Sequence, residues 1–125
     1  SAAHQTASYD PLSAMFALGR QVGSARACRG SVLVFDGRQH YRLAVSGGGA
    51  GTFNGGGYNG ASVTCQFRYE PIAGFNMTPE ERARIPTGEA TFALDPQAAF
   101  AAPLRLSVPT PLGAAVVEIQ SYQRS

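Results

Sequence analysis

The chain predicts a mainly β domain: an antiparallel meander of about six strands forming a curved sheet or partial barrel, with one N-terminal helix (about 11–22) and a short helical turn (about 79–85). Three observations predict it. Residues 61–70 alternate cleanly, with Val63, Cys65, Phe67 and Tyr69 on one side and Ser62, Thr64, Gln66 and Arg68 on the other. That is the period of an antiparallel strand with one wet face. Asp36-Gly37 separates two β-branched and aromatic runs, 31–35 and 41–45, which signals a hairpin. Only near the N-terminus does a proline-started run carry apolar residues at helical spacing.

In chain order, residues 1–9 are small and polar and read as a flexible start. Residues 10–125 read as a single β-rich domain. Asp10 then Pro11 supplies an N-cap acceptor and a proline at the first helical position. Leu12, Met15, Phe16 and Gly19 follow at helical spacing, widened by Ala14 and Leu18, and Gly23 reads as the stop. With Gly37 and Arg38 at the tip of the hairpin, Val34 faces Tyr41 and Val32 faces Leu43, while Arg42 points to the other side. Residues 46–60 hold eight glycines and read as a mobile connection between strands. Pro71 reads as the end of the strand that begins at Ala61. Thr78-Pro79-Glu80-Glu81 is a capping-box sequence. Residues 89–94, 104–108 and 114–122 complete the strands, with a turn at Thr110-Pro111-Leu112-Gly113 between the last two.

Bulk properties narrow the function. The 125 residues suit one domain and one core, with 44% hydrophobic and 14% charged residues. No run approaches a membrane span. A net charge of +2 and a pI near 8.8 are too mild for a nucleic-acid partner. All ten basic residues are arginine, in a chain also rich in Ala, Gly and Pro.

Cys28 and Cys65 are the two cysteines, each in a segment that reads as strand. An even pair on neighbouring strands of a small domain reads as one structural disulfide, and so as an oxidising compartment. The chain begins at Ser1 without methionine and without a signal-peptide pattern. Export followed by processing, or a piece of a longer precursor, is the expectation.

Catalytic and cofactor motifs fail one by one. The glycine segment lacks a following lysine, and the chain contains none, so it is no phosphate loop. It leads into a strand rather than a helix, so it is no dinucleotide fingerprint. His4 and His40 belong to no metal-ligand spacing. A nucleophile elbow is absent, and the carboxylates are scattered. The aromatic-arginine strands lack an RNA-recognition pattern. No catalytic, cofactor or metal residues are assigned.

Several segments together resemble one family. They are Asp10-Pro11-Leu12-Ser13-Ala14, Cys28, the run 34–41 with Asp36, Gly37, Arg38 and Tyr41, the run 58–61 leading to Cys65, the run 68–74 with Pro71, Ile72, Ala73 and Gly74, and the run 103–113. In order and spacing they resemble the alphaproteobacterial branch of the domain-of-unknown-function family thirty-one-oh-eight, exported envelope proteins without an established activity. The resemblance covers roughly residues 9–122. It implies periplasmic residence and a longer precursor, of which this chain would be the C-terminal portion.

The expected function is a non-enzymatic periplasmic β-domain binding an apolar or amphiphilic ligand, or another envelope protein. A ligand pocket would be lined by Tyr41, Phe67, Tyr69 and Phe92; a filled core with an exposed edge would favour protein pairing. One edge strand is expected to pair with the missing N-terminal segment, a second copy or another envelope protein. The alternatives are an enzyme or enzyme subunit using Asp36, Arg38, His40 and Glu70 at the hairpin tip, and a structural fragment of a larger envelope assembly.

Overall fold

The structure, a computed structural model, describes residues 6–8, 10–74, 76–110 and 113–118. Its elements are β1 (Thr6–Ser8), α1 (Pro11–Ala25), β2 (Gly30–Asp36), β3 (Gln39–Gly55), β4 (Tyr58–Ala73), α2 (Pro79–Ala83), β5 (Gly88–Ala93), β6 (Pro103–Thr110) and β7 (Gly113–Glu118). One sheet holds all seven strands in sequence order. β2 to β7 form the expected antiparallel meander, and the sheet stays open. Within the segment read as a flexible start, Thr6–Ser8 adds a short strand parallel to β2.

Helix α1 starts as its sequence dictates. The Asp10 carboxylate accepts from the Ser13 amide at 2.8 Å and the Ser13 hydroxyl at 2.9 Å, and Pro11 opens the first turn. Ala14, Leu18 and Val22 are fully buried and pack on Val32, Val34, Tyr41, Leu43 and Val45. Each large side chain of this kind contributes about 1.5–3 kcal/mol on burial.

The helix runs past Gly23 to Ala25, and Arg26 caps it with a left-handed backbone (φ 53). Gly23 does not stop the helix because its role is packing. Gly19 and Gly23 lie one turn apart and let the segment 99–101 rest directly on the helix backbone. A Cβ at Gly23 would sit 1.9 Å from the Ala99 carbonyl oxygen, and one at Gly19 2.3 Å from that of Ala101. The closeness allows the Ala101 amide to donate to the Gly19 carbonyl at 3.0 Å.

The first hairpin has the register read from its sequence, Val34 opposite Tyr41 and Val32 opposite Leu43. The glycine-rich segment departs from its reading. It is no mobile loop: β3 continues to Gly55, Gly56 and Gly57 turn with positive φ, and β4 begins at Tyr58. Glycine in a strand is roughly 0.5–1 kcal/mol worse than alanine. Pairing with β4 along the whole arm offsets this, as does a second small core in which Phe53 and Tyr58 pack with Ala93, Phe100, Ala102 and Leu104.

Cys28 and Cys65 form the expected disulfide, with Cα atoms 5.4 Å apart. Cys28, however, lies in the turn between α1 and β2 rather than in a strand. Cys65 sits at an irregularity of the β3–β4 ladder. Ser46 opposes Gln66 and Gly49 opposes Thr64, which leaves Gly47 and Gly48 facing Cys65 as a bulge. Gly48 has φ +83, and a Cβ there would lie 2.0 Å from the Thr64 carbonyl oxygen. Here glycine is obligatory.

Pro71 does not end β4, which continues to Ala73. The Pro71 carbonyl accepts from Arg82 on α2 at 2.9 Å, so that edge of the residue faces away from β3 and no ladder bond is lost. α2 carries the capping box read from the sequence, Thr78 with Glu81. The expected continuation of β7 to Tyr122 and the turn residues Pro111 and Leu112 lie outside the described residues.

Two predictions follow from this packing. Gly23→Ala raises intrinsic helix propensity by about 1 kcal/mol, yet thermal melts are expected to show a net loss of roughly 1–3 kcal/mol, the usual cost of overpacking. Replacing both Cys28 and Cys65 by alanine is expected to lower stability by roughly 4 kcal/mol, because the bridge closes a loop spanning a sequence separation of 37. Urea midpoints with and without reductant measure this.

Candidate functional site

Two of the stretches that carry the resemblance, 34–41 and 68–74, come together. Tyr41 opposes Pro71 and His40 opposes Ala73, with Ile72 left as the extra residue of a bulge, which explains its 44% exposure. Gly74 has φ +83, and its Cβ position is 2.0 Å from the Arg38 carbonyl oxygen. Asp36 and Gly37 form the adjoining turn, where Asp36 pairs with Gln39. The pattern 36–41 with 71–74 is therefore a packing solution: a tight turn against which only glycine can lie.

The polar residues at this end are engaged in surface pairing. Glu70 binds Arg42 at 3.3 Å and Arg68 at 2.8 Å, and all three side chains are a third to a half exposed. His40 packs edge-on against Phe35, with ring centroids 4.7 Å apart. Arg38 lies exposed on the turn. A polar hollow of about 380 Å³ opens between β4 and α2, bordered by Arg68, Glu70 and Arg82. Arg68 and Glu70 pair with each other there, and Arg82 holds the Pro71 carbonyl.

The four aromatic residues expected to line a pocket instead fill the core. Phe92 is fully buried, Tyr41 and Phe67 are buried, and Tyr69 packs against the same cluster with its ring 4.8 Å from that of Tyr41. α1 covers this side of the sheet, so the space between the aromatics is occupied.

The apolar surface lies elsewhere, between α1 and the last two strands. A groove of about 270 Å³ is lined by Met15, Phe16, Leu104, Leu106 and Val117, with Arg105 and Glu118 at its border. These two form an ion pair at 3.0 Å. Phe16 leans on Phe100 yet remains 43% exposed, and Val117 is 67% exposed. Leu106 and Val117 are cross-strand partners, so both point toward the helix side. The sequence signals for this groove were Met15 and Phe16 in the helix stripe. Their partners lie about ninety residues away along the chain, and no local pattern links them.

Among the described residues, no three His, Cys, Asp or Glu side chains group as metal ligands, and no helix is long and apolar enough to cross a membrane. A scan against protein-family models matches none. Searches of curated proteins and of solved structures likewise return no significant match. The molecule is thus defined by its architecture: an open antiparallel meander, disulfide-tied, with one helix across a filled core and an apolar groove at its last strand.

Glu70→Gln is expected to cost under about 1 kcal/mol, since exposed ion pairs are worth no more than that. The loss should shrink further in 1 M salt. Urea titrations at two ionic strengths check both.

Proposed function

We propose that this chain is a non-enzymatic periplasmic β-domain that binds another envelope protein. It would take an extended segment of that protein along the outer edge of β7, with an apolar side chain seated in the adjoining groove. The observation that carries this reading is the pairing of an open edge with an apolar groove. Val117 stands on β7 at the mouth of a cleft floored by Leu104 and Leu106, and no described strand covers the far side of β7. Strand addition uses this combination, main-chain hydrogen bonds for affinity and pockets under alternate side chains for specificity.

A protein segment suits the site better than a free apolar ligand. The aromatic interior is filled, and the groove of about 270 Å³ falls below the ~300–1,000 Å³ typical of small-molecule sites. One or two side chains fit it. The disulfide supports an oxidising compartment, and the resemblance to exported envelope proteins supports the periplasm. Catalysis at the hairpin tip has less support, because Glu70 is committed to two arginines and His40 to Phe35.

Selection of displayed random decapeptides on the folded, oxidised domain tests this reading. Enriched peptides are expected to carry apolar residues at alternating positions, and Val117→Arg should weaken their binding at least tenfold without lowering the melting temperature. Peptides that bind wild type and Val117→Arg equally, or no enrichment at all, would count against it.

A further inference from the structure

The staggered sheet leaves two stretches of its central hairpin without a second neighbour, and the chain treats them differently. β2 covers β3 only from Gln39 to Val45. β5 covers β4 only from Ser62 to Phe67. On β4, the uncovered stretch beyond Phe67 is closed off: Pro71 presents no amide there, and Arg82 takes its carbonyl. On β3, no described strand lies beside Ser46 to Gly55. This edge carries no charge and no proline, so beyond the bulge at Gly47 and Gly48 it lacks the usual devices that keep an edge from pairing.

Two glycines on this edge have no internal reason to be glycine. Gly49 would meet nothing within 4 Å of an added Cβ, and Gly51 only the Ser62 hydroxyl at 3.9 Å. Neither has a positive φ. Gly47, Gly48, Gly56 and Gly57 are explained by the bulge and the turn; Gly49 and Gly51 are not. Glycine inside a strand often marks the close approach of another backbone.

We infer that the edge from Gly49 to Gly55 pairs antiparallel with the same edge of a second copy, about a two-fold axis at Thr52. The segment is self-complementary in this register. Thr52 opposes Thr52, a favourable cross-strand pair. Phe53 opposes Gly51, so the backbone at each ring-bearing position meets a residue with no side chain, while the ring itself stays on the small core of its own chain. Ala50 opposes Asn54, and Gly49 opposes Gly55. The partner's turn at Gly56 and Gly57 then falls level with Gly48 and Gly47, short of Gly30, which occupies the slot beside Val45. A symmetric contact of one patch with itself closes as a dimer and does not propagate. A single strand pair buries less than the ~1,200 Å² of a stable interface, so the dimer is weak and concentration-dependent. It is independent of the β7 groove.

Sedimentation and disulfide trapping test the inference on the full chain. Wild type is expected to show a reversible monomer–dimer equilibrium, and Thr52→Lys to abolish it with an unchanged melting temperature. Under mild oxidation, Thr52→Cys is expected to form covalent dimers at least ten times faster than Ala50→Cys. Two Ala50 residues would lie roughly 13 Å apart along the strands in this register. A wild type that stays monomeric across the accessible concentrations overturns the inference. So does a dimer insensitive to Thr52→Lys, or cross-linking no faster through position 52 than through position 50.

Discussion

Cys65 stands where the parts of this molecule meet. On one side of its strand, Gly47 and Gly48 bulge away from it; on the other, Ala90 continues the ladder into β5. Its sulfur reaches back to the turn that follows α1. At this point coverage changes over, β2 having ended against β3 while β5 is already in place against β4. A covalent link here reinforces two half-sheets joined by the long hairpin and bridged by α1. Glycine is required opposite at Gly48, where no side chain fits against the Thr64 carbonyl, and favoured at Gly47, where φ is +59.

The same economy recurs wherever backbone meets backbone. Gly19 and Gly23 admit the segment 99–101 onto the helix, where Ala101 donates to a helix carbonyl. Arg26, at the helix end, then reaches the carbonyls of Ala98 and Asp95. Beyond β1, the Gln21 side chain takes both polar groups of Ser31, accepting from its amide at 2.8 Å and donating to its carbonyl at 3.0 Å. A side-chain amide thus supplies the two bonds that a further strand residue would have made. The Arg82 contact to Pro71 follows the same logic on β4.

Against these closed edges, the open ones carry the functional reading. The far side of β7 lies beside an apolar groove whose contributors come from both ends of the chain. The distal edge of β3 lies beside nothing described, and its small residues complement each other. An edge with a pocket suits a foreign strand, and a self-complementary edge suits a second copy.

The sequence by itself determined much of the local structure. The Asp10-Pro11 start, the register of Val32 and Val34 against Leu43 and Tyr41, the buried alternation through Val63, Cys65 and Phe67, the capping box at Thr78 and the cysteine pairing were all legible, because each depends on neighbours in sequence or on a period of two. The meander followed from their order. Three positions misled for one reason: a residue's local preference was overridden by what packs against it. Gly23 looks like a helix stop until Ala99 is seen against it. Pro71 looks like a strand end until its polar edge is seen to face α2. Eight glycines look like a loose loop until Phe53 and Tyr58 are seen anchored on Ala93 and Leu104. The apolar groove and the open edge of β3 were out of reach of any local pattern, since both arise from which strand ends where. That stagger is set by long-range packing and a disulfide, and only the folded chain decides it.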